Sequence, residues 1–490
     1  MEAKKPSITL NFLYNAAYQL LTIFLPLVTA PYISRVLGAE NIGIYSYTRA
    51  IANYYVIFAM LGMANYGNRS CAIVRDDRKK LSRTFCEIYS VQCFFAVLCI
   101  LLYTAYVALL VPENKGIYWL WEFYVISALF DISWFFFGIE KFKITVTRNI
   151  LIKLAGTACI FVFVKNRDDL WKYILIMSGS FLLTQVSLWP FLRRYIDWTK
   201  VSPSDCFKHV KPTLVLFIPV IAVSLYNVMD KLMLGMMCNM TQSGYYENAE
   251  KILTIPTSLI IALGTVMLPR ASYLESNDAG EQGKELMKKS MLFVSFLSCA
   301  LAFGISAIAP DFVPWFFGKE FSACIMLIIL LSPKIVCVSW ANVIRTQYLL
   351  PHGRDYDYIL SVVAGAAVNL VLNFLLIPRV EAVGAVIATV IAEVTVAVLQ
   401  TLSVRKEIPW KHYLKNGLPF VGIGIIMFVC VRWAGKNTLS THFKLLLQIL
   451  MGMLVYVTFS IVYIFKCHNP MFESIIKKLK NRRSQKNGKG

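Results

Sequence analysis

Charge is scarce in this chain of 490 residues: 16% of it is Asp, Glu, Lys or Arg, against roughly 25% in an ordinary soluble domain. Too few polar groups exist to clothe a soluble fold, so that class is excluded. Histidine is rarer still. The five, His209, His352, His412, His442 and His468, sit in loops or at span ends, and no two have metal-ligand spacing. No glycine-rich phosphate loop follows a strand, and no G-x-S-x-G elbow occurs. We therefore read the chain as no enzyme, with no cofactor and no metal. The 12 cysteines are scattered without paired spacing, which excludes a disulfide or metal framework; they read as small buried apolar residues. Large polar loops are missing as well, which weighs against a membrane glycosyltransferase.

What is present is hydrocarbon: 57% of residues are hydrophobic and the mean hydropathy is +0.59. They fall in fourteen blocks, near 11–33, 42–64, 84–110, 117–138, 148–164, 170–192, 213–235, 245–268, 290–309, 322–350, 357–377, 383–404, 417–434 and 444–465. Each is long enough to cross a bilayer core, which takes about 20 residues. The expected class is an all-α integral membrane protein of about fourteen transmembrane helices. The first block, with Asn15 and Gln19, is too long and too polar for a secretory signal and reads as a span. Pro26 and Pro31 in it, and Pro219 in the seventh block, are expected to bend their helices. Trp119, Trp121, Trp134, Trp189 and Trp315 read as interface anchors.

The net charge of +21 does not indicate nucleic acid, because of where it lies. With both termini cytoplasmic, inner loops and tails hold about 33 Lys and Arg and outer loops about 9. That asymmetry is the positive-inside rule. Its richest segments are 69–83, 193–211 and the tail 466–489.

One stretch carries charge where hydrocarbon should exclude it: SLYNVMDKLMLGMMCNMTQSGYYENAEKI, residues 224–252. Each charge at a bilayer centre costs about 2.5–3.5 kcal/mol on insertion scales, so such groups face partners or water. Gly43, Tyr45 and Arg49 echo Gly244, Tyr246 and Lys251. The echo aligns span two with span eight, so spans one to six and seven to twelve read as two pseudo-symmetric six-helix lobes related by a parallel repeat. The expected lobes are 1–200 and 201–404, with two extra helices and a basic tail in 405–490. The 200–211 loop is the expected joint.

Gly43 and Gly244 mark the outer mouths of their spans. Arg49 and Lys251 then lie roughly 9–10 Å inside, at 1.5 Å per residue. Asp230 and Lys231, adjacent on a helix, point about 100° apart and cannot pair, so at least one looks elsewhere. Glu247 and Lys251 have favourable i,i+4 spacing. Lys334 and Glu393 are mid-span, Asp131 lies in the inner half of span four, and Arg345 is near the inner end of span ten. The acids are either ion or proton sites or counter-ions of these bases; the sequence leaves both open. Cations without enzymatic groups suit an anionic passenger bearing phosphate. The candidate substrate-binding set is Arg49, Lys251, Lys231 and Lys334; the candidate coupling or counter-ion set is Asp230, Glu247 and Glu393.

The segments LYNVMDKLMLG (225–235), GYYENAEKI (244–252), GTVMLPR (264–270) and GAENIGIYSYTRAIANYY (38–55) resemble the oligosaccharide-lipid flippases of bacterial polysaccharide export. These belong to the multidrug, oligosaccharidyl-lipid and polysaccharide exporter superfamily. The resemblance implies two lobes around a cavity and alternating access. It implies an undecaprenyl-diphosphate-linked oligosaccharide as substrate, moved from inner to outer leaflet of the bacterial plasma membrane for O-antigen, capsule or exopolysaccharide synthesis. It places Arg49 and Lys251 on the cavity wall and leaves the energy source open, for which H+ or Na+ coupling through Asp230, Glu247 or Glu393 is the candidate; membrane lipid and a polysaccharide polymerase complex are the further expected partners. The alternatives weighed are a drug/cation antiporter of the same superfamily, which the basic residues oppose, and a non-transporting scaffold of a polysaccharide assembly complex.

Overall fold

The structure is a computed structural model that describes residues 8–277, 280–436 and 440–466. The basic tail falls outside the described residues, as do His468 and the side chains of Asn15, Gln19 and Pro219. The described chain is helical: α1 (Ile8–Met60), α2 (Met63–Val74), α3 (Arg78–Leu109), α4 (Lys115–Phe130), α5 (Ser133–Gly138), α6 (Phe142–Phe163), α7 (Leu170–Val186) and α8 (Trp189–Leu192). There follow α9 (Pro203–Met237), α10 (Met240–Ser276), α11 (Gly280–Phe316), α12 (Cys324–Leu331), α13 (Pro333–Ile344), α14 (Asp355–Ser403), α15 (Trp410–Ala434) and α16 (Thr441–Lys466).

Eleven helical stretches among the described residues are long and apolar enough to cross a membrane. One of them, α14, has 49 residues, and α1, not among the eleven, has 53. At 1.5 Å per residue each would exceed about 70 Å, more than twice a hydrocarbon core of about 30 Å. Both are broken. In α1 the break is Gly38, at φ 80°, ψ 173°, a conformation open to glycine; Pro26 and Pro31 lie within the helical stretch before it. In α14 it is Val380–Glu381, where Glu381 has φ 51°. The chain reverses there. A Cβ on Gly384 would lie 2.7 Å from the Leu376 carbonyl, whereas eight residues of straight helix span about 12 Å. Counting α1 and α14 as two crossings each gives fourteen.

Contacts divide the chain into two compact units, Met1–Glu247 and Asn248–Gly490. One end of the first unit packs around aromatic rings: Phe85, Trp134, Phe135 and Phe136, with Leu188, Leu192 and Ile196. Trp121 and Trp134 are buried, so neither is an interface anchor. Trp121 Nε1 donates to Thr48 Oγ1 and Trp134 Nε1 to Gln92 Oε1, both at 2.9 Å. Asp131 is a local cap: its Oδ1 accepts from the Ser133 amide at 2.9 Å, opening α5. Asp77 caps α3 in the same manner, accepting from the Lys80 and Lys79 amides. Chiefly the Lys80 amide holds its carboxyl below the usual range. In the second unit α15 and α16 pack on α11 through Cys299, Ala307, Phe420, Met427, Val431 and Tyr456.

The segment expected as a loop joint is mostly helix. Ser202 precedes α9 and Pro203 opens it; proline at the first helical position has no amide to waste and a preset φ. His209 is therefore a buried helical residue, not a loop residue.

Gly384→Ala should strain the reversal and cost about 1–3 kcal/mol, the range for overpacking; a thermal melt of the variant unchanged from the parent would contradict the reversal.

Candidate functional site

The hairpin of α9 and α10 turns on two residues, Cys238 and Asn239. Asn239 Oδ1 accepts from the Gln242 amide at 3.0 Å and so caps α10. A turn this short puts residues equidistant from it at equal depth. Lys231 and Glu247 lie seven and eight residues away, roughly 11 Å down each helix, and they meet: Nζ to Oε2 is 2.6 Å. Tyr246 donates its hydroxyl to Asp230 Oδ2. Neighbours on α9, the two charges thus take separate partners on α10, as their angular separation requires. Both acids are buried.

The second half of α1 packs against this hairpin at the two glycines of the echo. A Cβ on Gly43 would fall on the Met240 carbonyl oxygen, and one on Gly244 on that of Ala39. Ala39 and Gly43, and Met240 and Gly244, are each four apart. The contact is reciprocal, as between two related surfaces, and it is the close backbone approach that small residues allow between membrane helices. One turn deeper, Ser46 Oγ donates to Glu247 Oε2 at 3.0 Å. Glu247 therefore joins α1, α9 and α10 through a single oxygen.

Arg49 is met differently. Nη1 donates to Tyr45 Oη at 3.3 Å, and the guanidinium lies 5.9 Å from the ring centroids of both Tyr45 and Phe181. Tyr45 is wedged against Trp121 and Tyr173, so the phenol is fixed by packing. Glu247 acts on Arg49 electrostatically, but the direct contacts are a neutral hydroxyl and two π faces, each worth about 0.5–2 kcal/mol. These partners hold a cation without cancelling it.

In the second unit Lys251 is half-buried on α10, one turn beyond Glu247. Lys334 and Glu393, mid-span on α13 and α14, face each other at 3.8 Å with 13% and 8% of their side chains exposed.

A second ionic group was not legible as one. Glu87 on α3 receives Arg83 Nε at 2.9 Å, Lys208 Nζ at 2.8 Å and His209 Nε2 at 2.9 Å. His209 Nδ1 meets the Tyr66 hydroxyl at 2.7 Å. The group ties α2, α3 and α9. The i,i+4 spacing of Arg83 and Glu87 was its one visible trace in the sequence.

The family described as polysaccharide biosynthesis protein matches residues 8–275. A protein of Escherichia coli (strain K12), provisionally named an O-antigen transporter, is 26% identical over 413 residues, 83% of this chain and 99% of that one. A Haloferax volcanii protein, likewise provisionally named the low-salt glycan biosynthesis flippase Agl15, is 27% identical over 256 residues, 52% of this chain and 53% of that one. Among solved structures, the lipid II flippase MurJ in an inward closed conformation superposes with a TM-score of 0.70 at 16% identity. It covers 94% of this chain and 100% of that one, and the likeness is one of fold.

Lys231→Ala should strip the buried Glu247 carboxylate of its Lys231 ion pair and destabilise the protein by about 3–5 kcal/mol, whereas Lys231→Met with Glu247→Gln should recover most of the loss. Unfolding of the two variants side by side tests the pairing; equal losses would refute it.

Proposed function

From the premise that this chain belongs to the polysaccharide biosynthesis protein family, we propose that it is a lipid-linked oligosaccharide flippase. Its passenger is an undecaprenyl-diphosphate-linked repeat unit, carried from the inner to the outer leaflet of the bacterial plasma membrane by alternating access. The observation that carries the reading is Arg49, a guanidinium deep in apolar helix, held by a phenol and aromatic faces. A guanidinium so held keeps its charge for a phosphate, to which it offers two parallel donors.

Lys251 and Lys231 supply the neighbouring positive charge in this reading, and Lys334 a further stage. Glu247 and Glu393 act as resident counter-ions. They keep the lysines neutralised while no passenger is present and exchange them for phosphate when one arrives. Asp230 fixes the α9–α10 hairpin through Tyr246. H+ or Na+ coupling would act at these acids, since protonating or pairing a carboxylate frees its lysine. The lobes are 1–200 and 201–404, with 405–490 adding the two outer helices and the tail.

The reciprocal crossing of Gly43 and Gly244 serves as the outer closure. With the Ser46–Glu247–Lys231 bonds just beneath, it can part only when Glu247 lets go, which ties opening to the exchange of anions. Because lysines offset the acids, a cation exporter fits poorly. Delivery to a polysaccharide polymerase complex at the outer face is the natural sequel.

Vesicles holding purified protein and a fluorescent undecaprenyl-diphosphate oligosaccharide give the test. Arg49→Ala with Lys251→Ala should slow the appearance of label on the far leaflet by about 100-fold, since each lost charge-assisted contact removes roughly 1.5–3 kcal/mol. Undiminished movement in that variant would end this assignment. Gly43→Leu should separately block movement while leaving substrate binding intact.

A further inference from the structure

One guanidinium has no place in the scheme above. Arg345 begins a π turn, Arg345–Leu349, at the end of α13. Its carbonyl accepts from the Leu350 amide at 2.9 Å, five residues on. Such turns are rare and occur often at functional sites. Nη2 donates to Asn342 Oδ1 at 2.7 Å. Nη1 reaches the Tyr358 hydroxyl at 3.5 Å, and that ring lies 5.4 Å from the guanidinium carbon. Both partners are neutral.

Nε is buried and has no acceptor among the described residues; neither does Gln347 Oε1 two residues on have a donor. An unmet donor on a buried charge costs more than on a neutral group. Asn342 cannot swing to relieve it. Its Nδ2 donates to the Ile260 carbonyl at 3.3 Å, and the side chain rests where Gly264 has no Cβ. Lys231 and Lys334 each have a carboxylate, but Arg345 is held in position without one.

We propose that Arg345 is a second anion-binding residue, a docking point for a phosphate or diphosphate at the cytoplasmic end of α13. The inference rests on the flippase reading for its role: Arg345 takes the passenger's diphosphate on the inner side, before Arg49 does so nearer the outer side. The cytoplasmic placement follows from the charge asymmetry of the loops. The same chemistry would also hold the phosphate of an ordinary anionic lipid, and the experiment separates the two.

The full chain in phosphatidylcholine nanodiscs is titrated with undecaprenyl diphosphate, and again with phosphatidylglycerol added to the discs. Arg345→Ala should weaken diphosphate binding about tenfold in the phosphatidylcholine discs. Arg345→Lys and Tyr358→Phe should fall between it and the parent. Arg405→Ala, an exposed cation outside the site, should change nothing. Equal diphosphate affinity in parent and Arg345→Ala overturns the proposal. So does a variant that loses only bound phosphatidylglycerol, which would make Arg345 a headgroup anchor. Should Arg345→Ala not fold, the Lys and Phe variants decide by the same criterion. If the parent binds diphosphate through Arg345 yet moves no sugar-lipid in vesicles, the site stands and the transport reading falls. Normal transport with unaltered binding in the variant removes this site alone.

Discussion

A charge within hydrocarbon must find an opposite charge, a dipole or water, and the internal layout follows from how each one is met. Lys231 and Lys334 are met by carboxylates. Locally those pairs are close to neutral, and they bind helices together. Arg49 and Arg345 are met by tyrosine hydroxyls and rings, and Arg345 also by an amide oxygen. These dipoles lower the cost of the guanidinium but leave its field in place. At these four positions the partners differ with the chemistry: the two lysines, compact and strongly hydrated, sit in ion pairs, and the two arginines, planar and weakly hydrated, sit on aromatic surfaces.

The number of crossings was legible because a backbone in lipid must satisfy itself, so each apolar run becomes a helix. The reversals at Gly38 and Val380–Glu381 were legible only as gaps between runs. Neither valine nor glutamate signals a turn, and Gly38 is one glycine among many in the sequence. That Asp230 and Lys231 would diverge followed from helix geometry alone. Their partners, Tyr246 and Glu247, depended on the length of the turn between α9 and α10, which came out at two residues where about nine were expected. Trp121 and Trp134 were misread because composition cannot tell an indole at an interface from one in a core. The group on Glu87 draws on three helices, and no local pattern announces such a meeting.

The glycine echo was visible as a pattern, and its physical meaning changes with the structure. It was read as two copies of one outer mouth. The two copies touch, and at each glycine the backbone of the facing helix occupies the room a side chain would need. Sequence likeness and direct contact then have one cause, since a reciprocal close crossing places the same demand for a small residue on both helices. Glu247 lies one turn below that crossing, so a change in its ionic partner acts where the helices are already closest.

The loopless reversals bear on how the molecule is seen from beyond the membrane. Gly38, Cys238–Asn239 and Val380–Glu381 each turn the chain within a residue or two. So little backbone leaves the helices at these three turns that a protease would find hardly any loop to cut there.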